Sequence, residues 1–211
     1  MSQTVTKPRA KRRTASKQQR QAQLIKATIR SIAKHGLSET TMATVSSEAS
    51  LSQGIINLHF QSKERLLEET LIHVVSEYRS VWCKAMDSAG DSAYEKLEAL
   101  AAVDFDKRIC QRNKLAVWFA FWGESRSRLT YRKICTESSR EYRDVLTGLC
   151  EEVIRQGGYK VRAGHVATGL LAMNGGLWLD MLLSPAEMSA QQAQEISLSY
   201  LWGVFPAHAS S

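Results

Sequence analysis

"GLSETTMATVSSEASLSQGIINLHFQSKERLL", residues 36–67, decides how this chain folds. It has no proline and no alternation of apolar and polar residues that would suggest a strand. Thr40 and Thr41 are possible N-caps for a short helix over about 42–49, after Gly36 has closed the helix before it. A second short helix starts near Ser52, and Ser62 caps a much longer one. Two short helices joined by a tight turn and braced by a longer first helix form a helix-turn-helix, a DNA-reading device.

Working outward, Leu24, Ile25, Thr28, Ile29 and Ile32 form one stripe of a first helix that runs from Lys17 to Gly36. The helix capped by Ser62 extends to about Met86, with Leu66, Leu67, Leu71, Val74, Val75, Tyr78 and Trp82 at helical spacing, until "DSAGDSA" breaks it. Further helices fit about 92–108, 112–123, 127–156, 162–183 and 189–204. The only prolines are Pro8, Pro185 and Pro206. The expectation is an all-α fold of about nine helices, with an N-terminal three-helix reader and a larger helical body. Residues 1–16 read as a disordered basic arm, 17–65 as the DNA-binding domain and 66–205 as a ligand-binding and dimerisation domain.

Charge divides the same way. Residues 1–65 hold twelve Lys/Arg against Glu39, Glu48 and Glu64, whereas residues 66–211 hold sixteen against eighteen acids. A basic head on a near-neutral body suits a polyanion at the head and another task for the body. No run of 18 apolar residues occurs and the N-terminus lacks an apolar core, so neither a membrane span nor a secretory signal is expected. Cys83, Cys110, Cys135 and Cys150 are far apart, which fits reduced thiols in a cytoplasmic protein. Enzyme signatures are missing. Ser31-Ile32-Ala33-Lys34 matches S-x-x-K by chance on a basic helix, the histidines have no metal spacing, and no phosphate loop exists, so no cofactor or metal is expected.

Within the reader, Ser52 and Gln53 offer hydrogen bonds, and Gly54 removes a side chain where backbone meets DNA. Asn57 can pair with a base edge or phosphate, Leu58 can pack on a thymine methyl, and His59 can reach a phosphate or remain a surface histidine. Thr41 and Lys63 lie at helix starts, suited to phosphates. Ile55 and Ile56 cannot both face DNA, and Phe60 belongs to the core. Gly36, Thr41, Ser52, Gly54, Phe60, Ser62, Lys63 and Leu66 give the segment a pattern that resembles the DNA-binding part of the TetR family of bacterial repressors. Ser50 departs from the glycine usual in that family's turn, and Asn57 from its usual tyrosine. The resemblance implies a homodimer on double-stranded operator DNA, held by an intersubunit bundle of the last two long helices. Gly164, Gly169, Gly175 and Gly176 in the first of these permit close helix approach.

The body's most unusual segment is "KLAVWFAFWGES", residues 114–125. On a helix Trp118, Phe121 and Trp122 stand at i, i+3 and i+4, while Phe119 points elsewhere, into core. An aromatic face is ordinarily core, but Trp178 recurs in the glycine-rich segment beside Asp180, one turn after Asn174. Aromatic faces with a carboxylate suit a quaternary ammonium, and Asp104, Asp106, Glu124 and Asp180 are the candidate acids. Asn174 can bond a ligand hydroxyl. "FD" at Phe105–Asp106, "WFAFW" at 118–122 and "GLWL" at 176–179 are similar to segments of BetI-type repressors. That likeness implies choline as effector, genes of choline-to-glycine-betaine conversion as target, and a ligand site drawn from Trp118, Phe121, Trp122, Asn174, Trp178, Asp106 and Asp180. Rival expectations are a repressor sensing a bulkier lipophilic cation and controlling efflux, and an architectural DNA binder indifferent to small molecules.

Overall fold

A computed structural model describes residues 16–209. The arm expected over residues 1–16 therefore lies, up to residue 15, outside the described residues. Ser16 belongs to the first helix, α1 (Lys17–Glu39), as its N-cap, in a reciprocal capping box with Gln19. Gly36, at φ 81° and ψ 170°, interrupts the helical backbone and offsets the last residues of α1. Thr41 caps α2 (Met42–Ala49) in a second capping box with Thr44. Thr40 does not cap: it is buried, and its hydroxyl donates to the Gly36 carbonyl at 2.8 Å.

Next come α3 (Gln53–Phe60) and α4 (Lys63–Ser88), the latter capped by Ser62. Leu24, Val45, Ala49, Ile56, Phe60 and Leu66 close a small core among the first four helices. Of the isoleucine pair, Ile56 is buried and Ile55 half-buried. Between α2 and α3, Ser50 takes the left-handed conformation, φ 53° and ψ 44°. Non-glycine residues hold it at a cost of roughly 1–2 kcal/mol. Ser50→Gly is therefore expected to stabilise the protein by about 1 kcal/mol, raising Tm by about 2–4 °C in a thermal melt.

The body consists of α5 (Ala93–Val103), α6 (Arg112–Glu124), α7 (Leu129–Gly157), α8 (Ala163–Leu183), α9 (Ala190–Val204) and the short α10 (Pro206–Ala209). Its core is continuous and includes Leu97, Leu100, Phe121, Leu146, Leu170 and Phe205. The described residues thus form ten helices and no strand. One boundary differs from expectation: the helix expected over 92–108 stops at Val103. Beyond it the backbone tightens, with Phe105 and Asp106 N–H groups bonding three residues back, to Ala102 and Val103.

Head and body share two rods. Helix α4 has Leu66 in the small core and Leu67, Leu71 and Val74 in the large one. Helix α1 likewise contributes Leu24 and Ala27 to one, Ile29 and Ile32 to the other, and α6 packs along it. Contrary to the sequence expectation, α8 is long and apolar enough to cross a membrane by length and composition alone. However, it packs between α7, α6 and α9, and its Asn174 and Trp178 bond to Asp104 inside the body. It is a core helix.

Candidate functional site

On α3 the apolar positions Ile56 and Phe60 turn inward, leaving Gln53, Gly54, Asn57 and Leu58 on one exposed face. Leu58 is 79% exposed. Ser52, the N-cap, makes no capping bond with its side chain. A Cβ built on Gly54 would meet only the Ser52 hydroxyl, at 3.9 Å. Packing within the chain therefore gives no reason for a glycine there. His59 is half-buried, with its Nδ1 buried and unpartnered. Thr41 is exposed at the start of α2. The Lys63 ammonium is engaged by the Ser38 carbonyl at 3.1 Å, in a crevice where α1, α4 and α6 meet.

The second site is a cavity of about 270 Å³ in the body. Each wall comes from a different element: Tyr78 from α4, Asp104 from the α5–α6 connection, Trp118 and Trp122 from α6, Tyr142 and Arg143 from α7, and Asn174 and Trp178 from α8. Trp118, Trp122 and Trp178 have ring centroids 5.8–6.3 Å apart, and Trp122 and Trp178 are nearly parallel at 12°. That spacing leaves too little room for a methylated ammonium between two rings, since carbon contacts need about 3.5–4.0 Å on each side. The rings form one aromatic wall instead. Tyr78 stands edge-on to Trp118 and Trp178, at 5.9 and 6.0 Å.

Asp104 is the only acid among the lining residues. It is 2% exposed, and its carboxylate accepts from the Tyr78 hydroxyl at 2.7 Å and from the Asn174 amide at 2.8 Å. The Trp178 indole N–H donates to the Asp104 carbonyl at 2.9 Å, which satisfies the polar end of a buried tryptophan. Burial raises the Asp104 pKa to about 6, against the downward pull of its Asn174 and Tyr78 bonds. Burial, followed by the adjacent Asp104, pushes Tyr78 well above the usual tyrosine range. The Asn174 carbonyl oxygen is buried without a partner. A ligand hydroxyl can satisfy it, as can a water.

Trp118, Trp122, Asn174 and Trp178 thus meet at one cavity. Phe121, Asp106 and Asp180 do not line it, and each correction has a local cause. Phe121 is fully buried on the flank of α6, edge-on to Tyr131 of α7 at 4.9 Å. Phe119, expected in core, is instead only half-buried, against Trp122. Asp106 follows the end of α5 and turns outward, gripping Arg108 through both backbone and guanidinium. Asp180 is exposed near the end of α8. Asp104, one of the four candidate acids, takes the inner place, and Tyr78 and Tyr142 join it. Neither tyrosine was singled out as a site residue. Their spacing marks them as inward-facing, which does not distinguish a cavity wall from core.

The C-terminal family of BetI-type transcriptional repressors matches residues 93–206, and the TetR family of bacterial regulatory proteins matches residues 24–70. The HTH-type transcriptional regulator BetI of Burkholderia thailandensis is 33% identical over 182 residues, covering 86% of this chain and 91% of the relative. The BetI regulator of Burkholderia mallei is 32% identical over the same shares. Among solved structures, a transcriptional regulator from Pseudomonas aeruginosa PAO1 aligns with TM-score 0.80 and 28% identity, covering 93% of this chain and 95% of that one. A Saccharomonospora viridis regulator in complex with choline aligns with TM-score 0.77 and 21% identity, covering 86% and 94%. At that identity the likeness is one of fold.

Proposed function

Since this chain belongs to the TetR family of bacterial transcriptional repressors, with a BetI-type C-terminal domain, we propose that choline is the ligand that switches it. On this reading it acts in the bacterial cytoplasm and controls genes that convert choline to glycine betaine. The observation that carries the reading is the cavity, where three indoles face a single buried carboxylate. A quaternary ammonium has a diffuse charge and no donor. Aromatic faces attract it, at up to about 2 kcal/mol for a desolvated contact. Asp104 supplies the opposing charge, and Asn174 an open acceptor for the choline hydroxyl.

The protein works as a dimer. Helix α8 leaves Leu179 and Leu183 exposed, α9 leaves Ile196 and Trp202, and Gly164 and Gly176 would accept a Cβ with nothing nearby in the chain. An open apolar stripe with room at its glycines suits a second copy packed helix to helix. Gly169 serves a different purpose, since a Cβ there would lie 2.6 Å from the Tyr200 hydroxyl within the same chain. The paired α3 helices then meet successive major grooves, roughly 34–36 Å apart. Gln53, Asn57 and Leu58 approach the bases, while Ser52, Thr41, His59 and Lys63 approach the phosphates. Lys63 must first release Ser38.

Switching follows from α4. Tyr78 holds Asp104 in the cavity, while Lys63, fifteen residues earlier and about 22 Å away at 1.5 Å per residue, begins the helix beside the reader. A cation drawn to Asp104 competes for the carboxylate and shifts α4, which changes the spacing of the two readers. The ligand moves that equilibrium only through its different affinity for the two arrangements. Calorimetric titration of choline into wild type, Trp122→Ala and Trp178→Ala tests the site. The expected loss is about 10- to 30-fold per substitution, from cation–π contacts of about 2 kcal/mol or less. Equal affinity in all three proteins would dismiss the aromatic wall, and choline binding that leaves operator affinity unchanged at fixed salt would dismiss the switch.

A further inference from the structure

Beside the aromatic cavity, between α6 and α7, lies a polar groove of about 440 Å³ lined by Trp122, Ser139 and three arginines, Arg132, Arg140 and Arg143. Trp122, Ser139 and Arg143 line both spaces, so the groove continues the cavity. No acid lines the groove, and Asp104 alone lines the cavity. The side chains of the three arginines make no ion pair or hydrogen bond with other described residues. Three uncompensated guanidinium groups thus meet one buried carboxylate at the edge of the same aromatic wall.

That balance is poor for a plain cation. A choline on the indoles gains Asp104 but lies within reach of Arg143, whose like charge opposes it. It is well suited to a ligand that carries both charges. Guanidinium groups bind carboxylate and phosphate oxygens in pairs of parallel hydrogen bonds. Arg132 and Arg140 sit two helical turns apart on α7, eight residues, and Arg143 follows three later, so they flank the groove along one side. Ser139, and Thr136 on the same wall, add hydroxyl donors.

We infer that the groove is an anion subsite, and that the site accepts quaternary ammonium compounds carrying a phosphate or carboxylate more tightly than choline itself. The trimethylammonium group lies on Trp118, Trp122 and Trp178 beside Asp104, and the anionic end projects past Trp122 to Arg132, Arg140 and Arg143. This rests on the proposed cation site and adds to it a class of effector that joins an anion to the choline head.

Calorimetry on the full-length protein tests the inference, with choline, phosphocholine and inorganic phosphate as probes and Arg132→Gln/Arg140→Gln as the variant. Both substituted residues are exposed and lie outside the cation site, so the fold and choline binding should persist. Wild type should bind phosphocholine at least tenfold more tightly than choline. The double variant should lose that advantage while its choline affinity stays within twofold. Phosphocholine binding no tighter than choline, or an advantage that survives the double substitution, overturns the anion subsite and leaves the choline reading intact. Binding of phosphate alone, with neither quaternary ammonium bound, overturns both, because the aromatic wall would then hold no cation.

Discussion

Asp104→Asn is expected to weaken choline binding about 30- to 100-fold at pH 7 while leaving the protein at least as thermostable as wild type. The two effects share a cause. Asp104 is buried against Tyr78, Asn174 and Trp178 with no cation bonded to it. Removing one partner of a buried charge pair costs about 3–5 kcal/mol. Choline spreads its charge and keeps the aromatic wall, so a smaller loss of about 2–3 kcal/mol is expected, which gives the stated fold-change at 1.4 kcal/mol per tenfold.

Stability moves the other way. The folded pKa of about 6 lies above the usual 3.8, because burial disfavours the charged form. A raised folded pKa means that the group's stabilising contribution is complete below about pH 4 and is lost as pH rises through 6. At pH 7 the ionised carboxylate costs the folded state about 3 kcal/mol. Asparagine has no such cost, accepts one of the two bonds, and donates the other to a Tyr78 hydroxyl that can rotate to receive it. Wild-type affinity for choline should also fall about tenfold from pH 7 to pH 5 as Asp104 takes up its proton, whereas Asp104→Asn should be flat over that range. Calorimetry at the two pH values and melts at pH 7 check all three. A variant binding within threefold of wild type would remove Asp104 from the site.

Much of the fold was legible because its signals are local. Caps at Thr41 and Ser62, the apolar stripe of α4 and the turn at Gly36 each depend on neighbours within a few residues. The cavity needed more. Trp118 and Trp122 differ by only about 40° around α6, at roughly 100° per residue, so both reach the same side. Phe121 lies about 100° from Trp122 and falls to the flank, where Tyr131 of α7 receives it. Spacing alone could not foresee that neighbour. The choice between Asp104 and Asp106 follows the register of α5. A helix running to 108 would set the two about 200° apart, with Asp104 in register with the buried Leu97, Leu100 and Ala101; ending it at Val103 keeps Asp104 between the buried Val103 and Phe105 and sends Asp106 outward to Arg108. Tyr78 and Tyr142 became visible only when α4, α7 and α8 converged on the same carboxylate.

Gly54→Leu is the complementary test, on the reader instead of the cavity. In the free protein this glycine sits in the first turn of α3 with open space around it, the nearest atom to an added Cβ being a hydroxyl 3.9 Å away. Its φ lies outside the left-handed region, so a leucine there is unstrained. Replacing a helical glycine with a better helix former gains up to about 1 kcal/mol, and the melting temperature should hold or rise. Operator binding should collapse. The branched side chain projects from the same face as Gln53, Asn57 and Leu58, and holds the backbone away from the duplex on both half-sites at once. Each reader then forfeits base contacts worth about 1–3 kcal/mol. Two readers forfeit about 2–6 kcal/mol, or roughly 30- to 20,000-fold in affinity. Fluorescence anisotropy on DNA fragments selected by the wild-type protein measures this loss, and choline affinity serves as the control, since the body is untouched. A variant that melts higher, binds choline normally and still holds the operator within threefold would show that α3 does not approach DNA through this face.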